Sequence, residues 1–235
     1  ALGALSKFIR FRTRRAREIF LMIPICITSV LVWVLILNRP EGTFTLFKFT
    51  QNLAISLRLD DFGSFFAALI ATLWPFASLY AFEYISPEKR QDAFLALYTM
   101  TYGVTLGVAF ASSFLSMYFF YELLTIITVP LVMFTMTEEA KYAARKYMYF
   151  SLGGTAFAFI GLIFIIVYGS SDIFQLGGVL NPSDIGNARL LQIVYIFTFC
   201  GFGVKAAIFP VHSWLPEAAV APTPVTALLH AVAVV

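Results

Sequence analysis

Glu122 lies midway along an apolar run, MYFFYELLTIITVP, and Lys205 and His230 lie in apolar stretches nearer the end of the chain. A titratable group inside a bilayer is costly, about 2.5–3.5 kcal/mol for Asp or Lys at a helix centre on the insertion scale, so each is a candidate functional residue. The chemistry open to such a set is proton transfer. Two opposite charges 4 Å apart interact by about 4 kcal/mol at an effective dielectric near 20. A proton arriving on Glu122 therefore changes the proton affinity of Lys205, which is the elementary step of a relay. His230 adds a group whose ordinary titration lies near neutrality. It is too far along the chain from Lys205 to share a helical face, so the two would line one path from adjacent helices. Lys146, at a junction between a loop and a helix, either snorkels to the interface or joins the relay. His212, just past Pro210, is either a further relay group or a partly solvated ring beside Trp214. Glu217 and Glu83 fall near span ends and are expected in water.

Other chemistries lack their residues. HExxH, GxSxG, GxGxxG and P-loop patterns are absent from the sequence, and His212 and His230 are too far apart to share one helical face. Cys26 and Cys200 lie far apart in apolar runs and do not form a clustered ligand set. No metal and no cofactor is expected.

The elements that position these groups must be membrane helices. The 235 residues are 60% hydrophobic and 12% charged, against about 45–50% and about 25% in soluble domains. That charge is too little to coat a soluble protein, so the class is a polytopic transmembrane helix bundle, all-α. The basic run Lys7, Arg10, Arg12, Arg14, Arg15 and Arg17 abuts the first apolar stretch, where it reads as a cytoplasmic anchor and not as a nucleic-acid site.

Along the chain, the first complete span is expected at Ile19–Leu37, with Pro24 in its first turns. Residues 38–61 alternate with a period near two and predict an outer excursion with a β-hairpin. Phe62–Phe82, containing Pro75, is the second span, and residues 83–92 return inward. Residues 93–137 carry one charge and are long enough for two helices joined by a tight turn near Ala111–Ser113. Gly103 and Gly107 form a small-xxx-small pair expected at a helix contact. A basic loop 138–146, a span Tyr147–Ser171 and an outer loop 172–189 follow. From Leu190 a helix runs to a break at Pro210, and a last helix starts at Pro222–Pro224. This makes seven spans, the last incomplete. It divides into residues 1–61, a basic cytoplasmic lead-in with the first complete helix and outer loop, and residues 62–235, the main bundle. Eleven Lys and Arg fall in the three inner segments against four in the outer ones, which sets the orientation. The chain lacks an initiator Met and stops inside an apolar run, which predicts a piece of a longer polypeptide.

The segment KAAIFPVHSWLPEAAVAPTPVTALLHA resembles the signature of the antiporter-like membrane subunits of respiratory complex I. It is similar also to the large subunits of multisubunit Na+/H+ antiporters and to membrane-bound energy-converting hydrogenases. LRLDDFGSFFAALIATLWPFASLYAFEYI resembles the family's N-terminal segment, YFFYELLTIITVPLVMF its Trp-Glu-Leu helix with Tyr121 in place of Trp, and ARKYMYFSLGGTAF its Lys-Tyr helix start. Ala221 replaces the family's usual Gly, and Ala207–Ile208 its Ala-Gln. The resemblance implies the first half of an inverted-repeat antiporter-like fold, a broken helix near Pro210, and a relay of Glu122, Lys146, Lys205 and His230. It implies a non-redox subunit moving protons or sodium ions, with other membrane subunits and a peripheral redox arm as partners. It also implies a bacterial, archaeal or organellar energy-transducing membrane. The competing expectation is a structural membrane subunit whose intramembrane polar residues only hold helices together.

Overall fold

The computed structural model describes residues 13–50, 53–86, 88, 90–175, 177–181 and 186–234. Lys7, Arg10 and Arg12 of the basic run lie outside them. The chain order is α1 (Arg14–Asn38), β1 (Thr43–Lys48), β2 (Ala54–Arg58), α2 (Asp61–Tyr84), α3 (Gln91–Ala109) and α4 (Phe114–Val132). Then come α5 (Glu138–Tyr168), α6 (Ala188–Lys205), the short α7 (Trp214–Ala218) and α8 (Thr223–Leu228), which runs into a π-helical turn, Leu229–Val234. Among the described residues, five helices, α1, α2, α4, α5 and α6, are long and apolar enough to cross a membrane. The chain is an integral, multi-pass membrane protein.

The seven expected spans correspond to these five helices, α3 and the end region. Helix α3 packs between α2 and α4 and buries Phe94, Tyr98, Thr101, Tyr102 and Thr105. Trp74 of α2 stacks on Tyr102 with ring centroids 5.1 Å apart, and the Tyr102 hydroxyl pairs with Ser29 of α1 at 2.7 Å.

Helix starts follow side-chain caps. Thr13 accepts from Ala16 N, so α1 begins well before Ile19 and Pro24 is interior to it instead of lying in its first turns. Asp60 accepts from Gly63 N at 2.6 Å and starts α2. Thr137 caps α5, so the expected loop 138–146 is helical and Lys146 stands inside α5. Each such cap satisfies a backbone donor that the helix itself leaves open.

The expected hairpin is present: β1 and β2 pair antiparallel from Thr43↔Arg58 to Lys48↔Ala54. β2 is stapled to the α3–α4 turn. Ser56 N donates to Ser116 Oγ at 2.8 Å, Ser112 N donates to Ser56 O at 3.1 Å, and Arg58 N donates to Phe110 O at 2.8 Å. At the opposite end Arg14 reaches Glu83 at 2.7 Å and Arg17 reaches Asp92 at 2.5 Å, which ties α1 to the α2–α3 connection. Glu83 is exposed there, as expected of a span end.

Of the glycine pair, Gly107 meets Phe120 of α4, where an added Cβ would lie 2.4 Å from the ring, whereas Gly103 faces open space. Another close helix approach joins α5 and α6. A Cβ on Gly201 of α6 would stand 2.5 Å from Ala158 N and 2.6 Å from Gly154 O of α5. These glycines let α5 and α6 pack backbone to backbone, as small residues do in membrane bundles.

Candidate functional site

The site forms where α4, α5 and α6 meet the break. Lys205 is the last residue of α6. Its helix ends there, ahead of Pro210, because Ala207 takes a left-handed conformation at φ 50°. Ala207 N donates to Val204 O at 3.1 Å and Ile208 N donates to Gly203 O at 3.0 Å, the paired bonds of a Schellman terminus. Ile208 covers Gly203, completing the apolar contact of that motif. The expected break around Pro210 is present: helix stops at Lys205 and resumes at Trp214, with Pro210 between them. The next feature, Pro210, follows a cis peptide bond.

Lys205 is 2% exposed. Its ammonium donates to the Tyr121 carbonyl at 3.0 Å and to Thr125 Oγ1, and it stands 4.0 Å from the centroid of the Tyr121 ring. Insertion of a lysine costs about 2.5–3.5 kcal/mol. Two hydrogen bonds from a charged donor, each about 1.5–3 kcal/mol, and a desolvated cation–π contact of about 2 kcal/mol offset that cost. The buried charge is thus held without a carboxylate in contact.

Glu122, on the neighbouring position of α4, is half-buried. It directly follows Tyr121, whose carbonyl and ring hold the Lys205 ammonium. Among the described residues, however, no Glu122–Lys205 contact falls within 4.0 Å. The two share a site but do not form a closed ion pair. The Tyr118 hydroxyl donates to Thr155 O of α5 at 3.3 Å.

From Thr125 a hydroxyl column continues along α4. Thr128 Oγ1 approaches Leu124 O at 2.7 Å and Thr125 O at 3.2 Å, and it pairs with the Tyr147 hydroxyl at 2.8 Å. Tyr147, fully buried on α5, packs against Trp214 of α7 with centroids 4.9 Å apart. Next to Tyr147, Lys146 ion-pairs with Glu217 of α7 at 2.5 Å. Glu217 was expected in water, yet it is half-buried, and its Oε2 is buried without a hydrogen-bond partner. The pairing joins α5 to α7 across most of a hundred residues, and nothing local in the sequence signals it.

The histidines are apart from this cluster. His230 is exposed on the π-helical turn, and its Nδ1 bonds Thr226 O at 2.8 Å. A carbonyl only accepts, so Nδ1 carries the proton and Nε2 is the open position of the neutral ring. His212 is exposed beside Phe209, ring centroids 5.8 Å apart. Neither makes an ion pair or hydrogen bond with Glu122, Lys146 or Lys205 among the described residues. The structure brings Lys205, Glu122, Thr125 and Tyr121 together, joins Lys146 to Glu217, and leaves both histidines at the surface.

Known proteins share this fold and sequence. A chain of the membrane-bound sulfane sulfur reductase, an archaeal respiratory membrane complex, has the same fold with a TM-score of 0.80 over 99% of this chain and 47% of that one, at 20% identity. A probable K(+)/H(+) antiporter subunit of Rhizobium meliloti is 34% identical over 187 residues, covering 78% of this chain and 18% of that protein. The chloroplastic NAD(P)H-quinone oxidoreductase subunit 5 of Phaseolus vulgaris is 30% identical over 197 residues, 80% of this chain and 26% of that protein. The chain thus spans a fifth to a quarter of the length of these relatives. The family model described as NADH:quinone oxidoreductase/Mrp antiporter, TM, matches residues 111–235, the stretch that holds α4, Lys205 and the break. The chain belongs to the NADH:quinone oxidoreductase/Mrp antiporter transmembrane family.

Proposed function

We propose that this chain is the ion-translocating part of a membrane subunit in a multisubunit complex, and that Lys205 is its central proton-carrying group. The observation that carries this reading is the cradle of Lys205: a fully buried ammonium at a helix terminus, held by one hydroxyl, one carbonyl and one aromatic face, with Glu122 beside it. A hydroxyl is the right partner for such a role, because it accepts from the ammonium and donates to the neutral amine. Glu122 sets the charge balance across the site. Lys146 and His230 serve the two ends of the path, with His230 offering its open Nε2 to groups beyond this chain. The ion is a proton, alone or exchanged for sodium. Membrane subunits, and a redox arm where the complex has one, supply the driving force.

The named relatives support an ion-moving role, since antiporter subunits stand among them. The reading is tested in the assembled full-length complex, reconstituted in vesicles. Glu122→Gln should abolish coupled ion movement while assembly stays intact. Wild-type transport by Glu122→Gln would sink it. The structural alternative is favoured by the two hydrogen bonds and the aromatic contact that hold Lys205. It predicts instead that changes at Lys205 reduce the amount of complex while every assembled complex still transports.

A further inference from the structure

Lys205 is placed by contacts that run through α7. Three link α7 to the rest of the bundle. The Glu217 carboxylate is paired with Lys146 of α5 at 2.5 Å. The Trp214 ring packs on Tyr147 of α5, centroids 4.9 Å apart. The Trp214 Nε1–H donates to Val204 O at 2.7 Å, and the indole is fully buried. Val204 immediately precedes Lys205, and its carbonyl also closes the helix terminus by accepting from Ala207 N. The last turn of α6 is thus set from outside by the indole, and the indole is set by α5 through the stack and the ion pair.

We propose that Glu217 and Trp214 are positioning residues for Lys205. Their strut, running from Lys146 through Glu217 and Trp214 to the Val204 carbonyl, holds the ammonium on the Thr125 hydroxyl. The proposal rests on the proton-carrying role of Lys205. It gives Glu217 a task that a solvated span-end carboxylate lacks. The half-buried carboxylate has one oxygen on Lys146 and the other buried without a partner. Removing the lysine would strand that charge, and α7 would have to move to rehydrate it. An α7 that moves takes Trp214 off Val204 O and frees the end of α6.

The test uses the full-length complex in vesicles, with initial transport rates normalised to assembled complex on native gels. Glu217→Gln and Trp214→Phe each should slow transport about tenfold, the size of one lost interaction of ordinary strength. Trp214→Phe keeps the ring packing and loses only the N–H. Because both act through one strut, the double variant should be no slower than the slower single. Glu217→Asp, which keeps a carboxylate for Lys146, should stay within about threefold of wild type. A merely structural role changes the amount of complex, and non-additivity of the rates does not follow from it. Wild-type rates in both singles, effects that multiply, or a Glu217→Asp rate as low as that of Glu217→Gln would overturn the strut. If Glu217→Gln does not assemble, a wild-type rate in Trp214→Phe overturns it. Lys205→Ala in the same series separates the two failures. Normal transport by Lys205→Ala rejects the proton-carrying reading, whereas its loss beside unaffected strut variants rejects the strut alone.

Discussion

Thr125→Val isolates one member of the Lys205 cradle. Valine has nearly the shape of threonine, so little cavity is created, and what disappears is the hydroxyl that accepts from the buried ammonium. Thr125 Oγ1 also lies 3.4 Å from Tyr121 O, but that carbonyl keeps its bond from Lys205 at 3.0 Å, so no backbone group is orphaned. The cost therefore falls on the lysine. A hydrogen bond from a charged group contributes about 1.5–3 kcal/mol, which corresponds to roughly 10–150-fold in rate if the charged lysine lies on the transport path. The assay is ion movement into vesicles holding the assembled full-length complex, with Thr125→Ser as control because serine retains the hydroxyl. Thr125→Ser should stay within about threefold of wild type, the spread expected when the hydrogen bond is kept and one methyl is lost. If Thr125→Val transports at the wild-type rate, the hydroxyl is not part of the working site and the reasoning fails.

Three further outcomes follow from the fold. Asp60→Asn should be nearly silent because Asn also caps a helix, whereas Asp60→Ala, which loses the 2.6 Å bond to Gly63 N, should lower the stability of the solubilised protein by about 1 kcal/mol in thermal unfolding. Gly201→Ala should drive α6 off α5, since its Cβ meets Ala158 N at 2.5 Å; the overpacking cost of about 1–3 kcal/mol should appear as lost assembly on native gels, and Gly103→Ala, facing open space, should assemble normally. Arg39→Ala, which removes a pair with Asp61 in which both side chains are largely exposed, should cost at most about 1 kcal/mol, and less at high salt.

Much of the fold was legible because bilayer helices announce themselves by composition. Long apolar runs with few charges placed α2, α4 and α6, and the period of two around Thr43–Phe49 placed the hairpin. Glu122 and Lys205 stood out for the same reason, as charges in apolar surroundings, and the structure buries Lys205 against Tyr121, the residue before Glu122. What was hidden depends on contacts distant in sequence or on backbone geometry without a residue signature. The α6 terminus uses Ala207 at positive φ where glycine is the usual marker, so Pro210 marked the break but not its first residue. Glu217 reads as an interfacial carboxylate until the fold brings Lys146 to it. Gly103 and Gly107 have the spacing of a contact pair, but only Gly107 faces a neighbour, while the close seam at Gly154 and Gly201 joins two helices whose glycines share no local motif. The start of α5 was missed because its first turns are polar, and the Thr137 cap was the available cue.

Lys205→Ala measures the central claim most directly. The full-length complex carrying it should assemble in normal amount and show no coupled ion movement in sealed vesicles. Assembled complex that moves ions at the wild-type rate without this amine would contradict the account and leave Lys205 a structural residue.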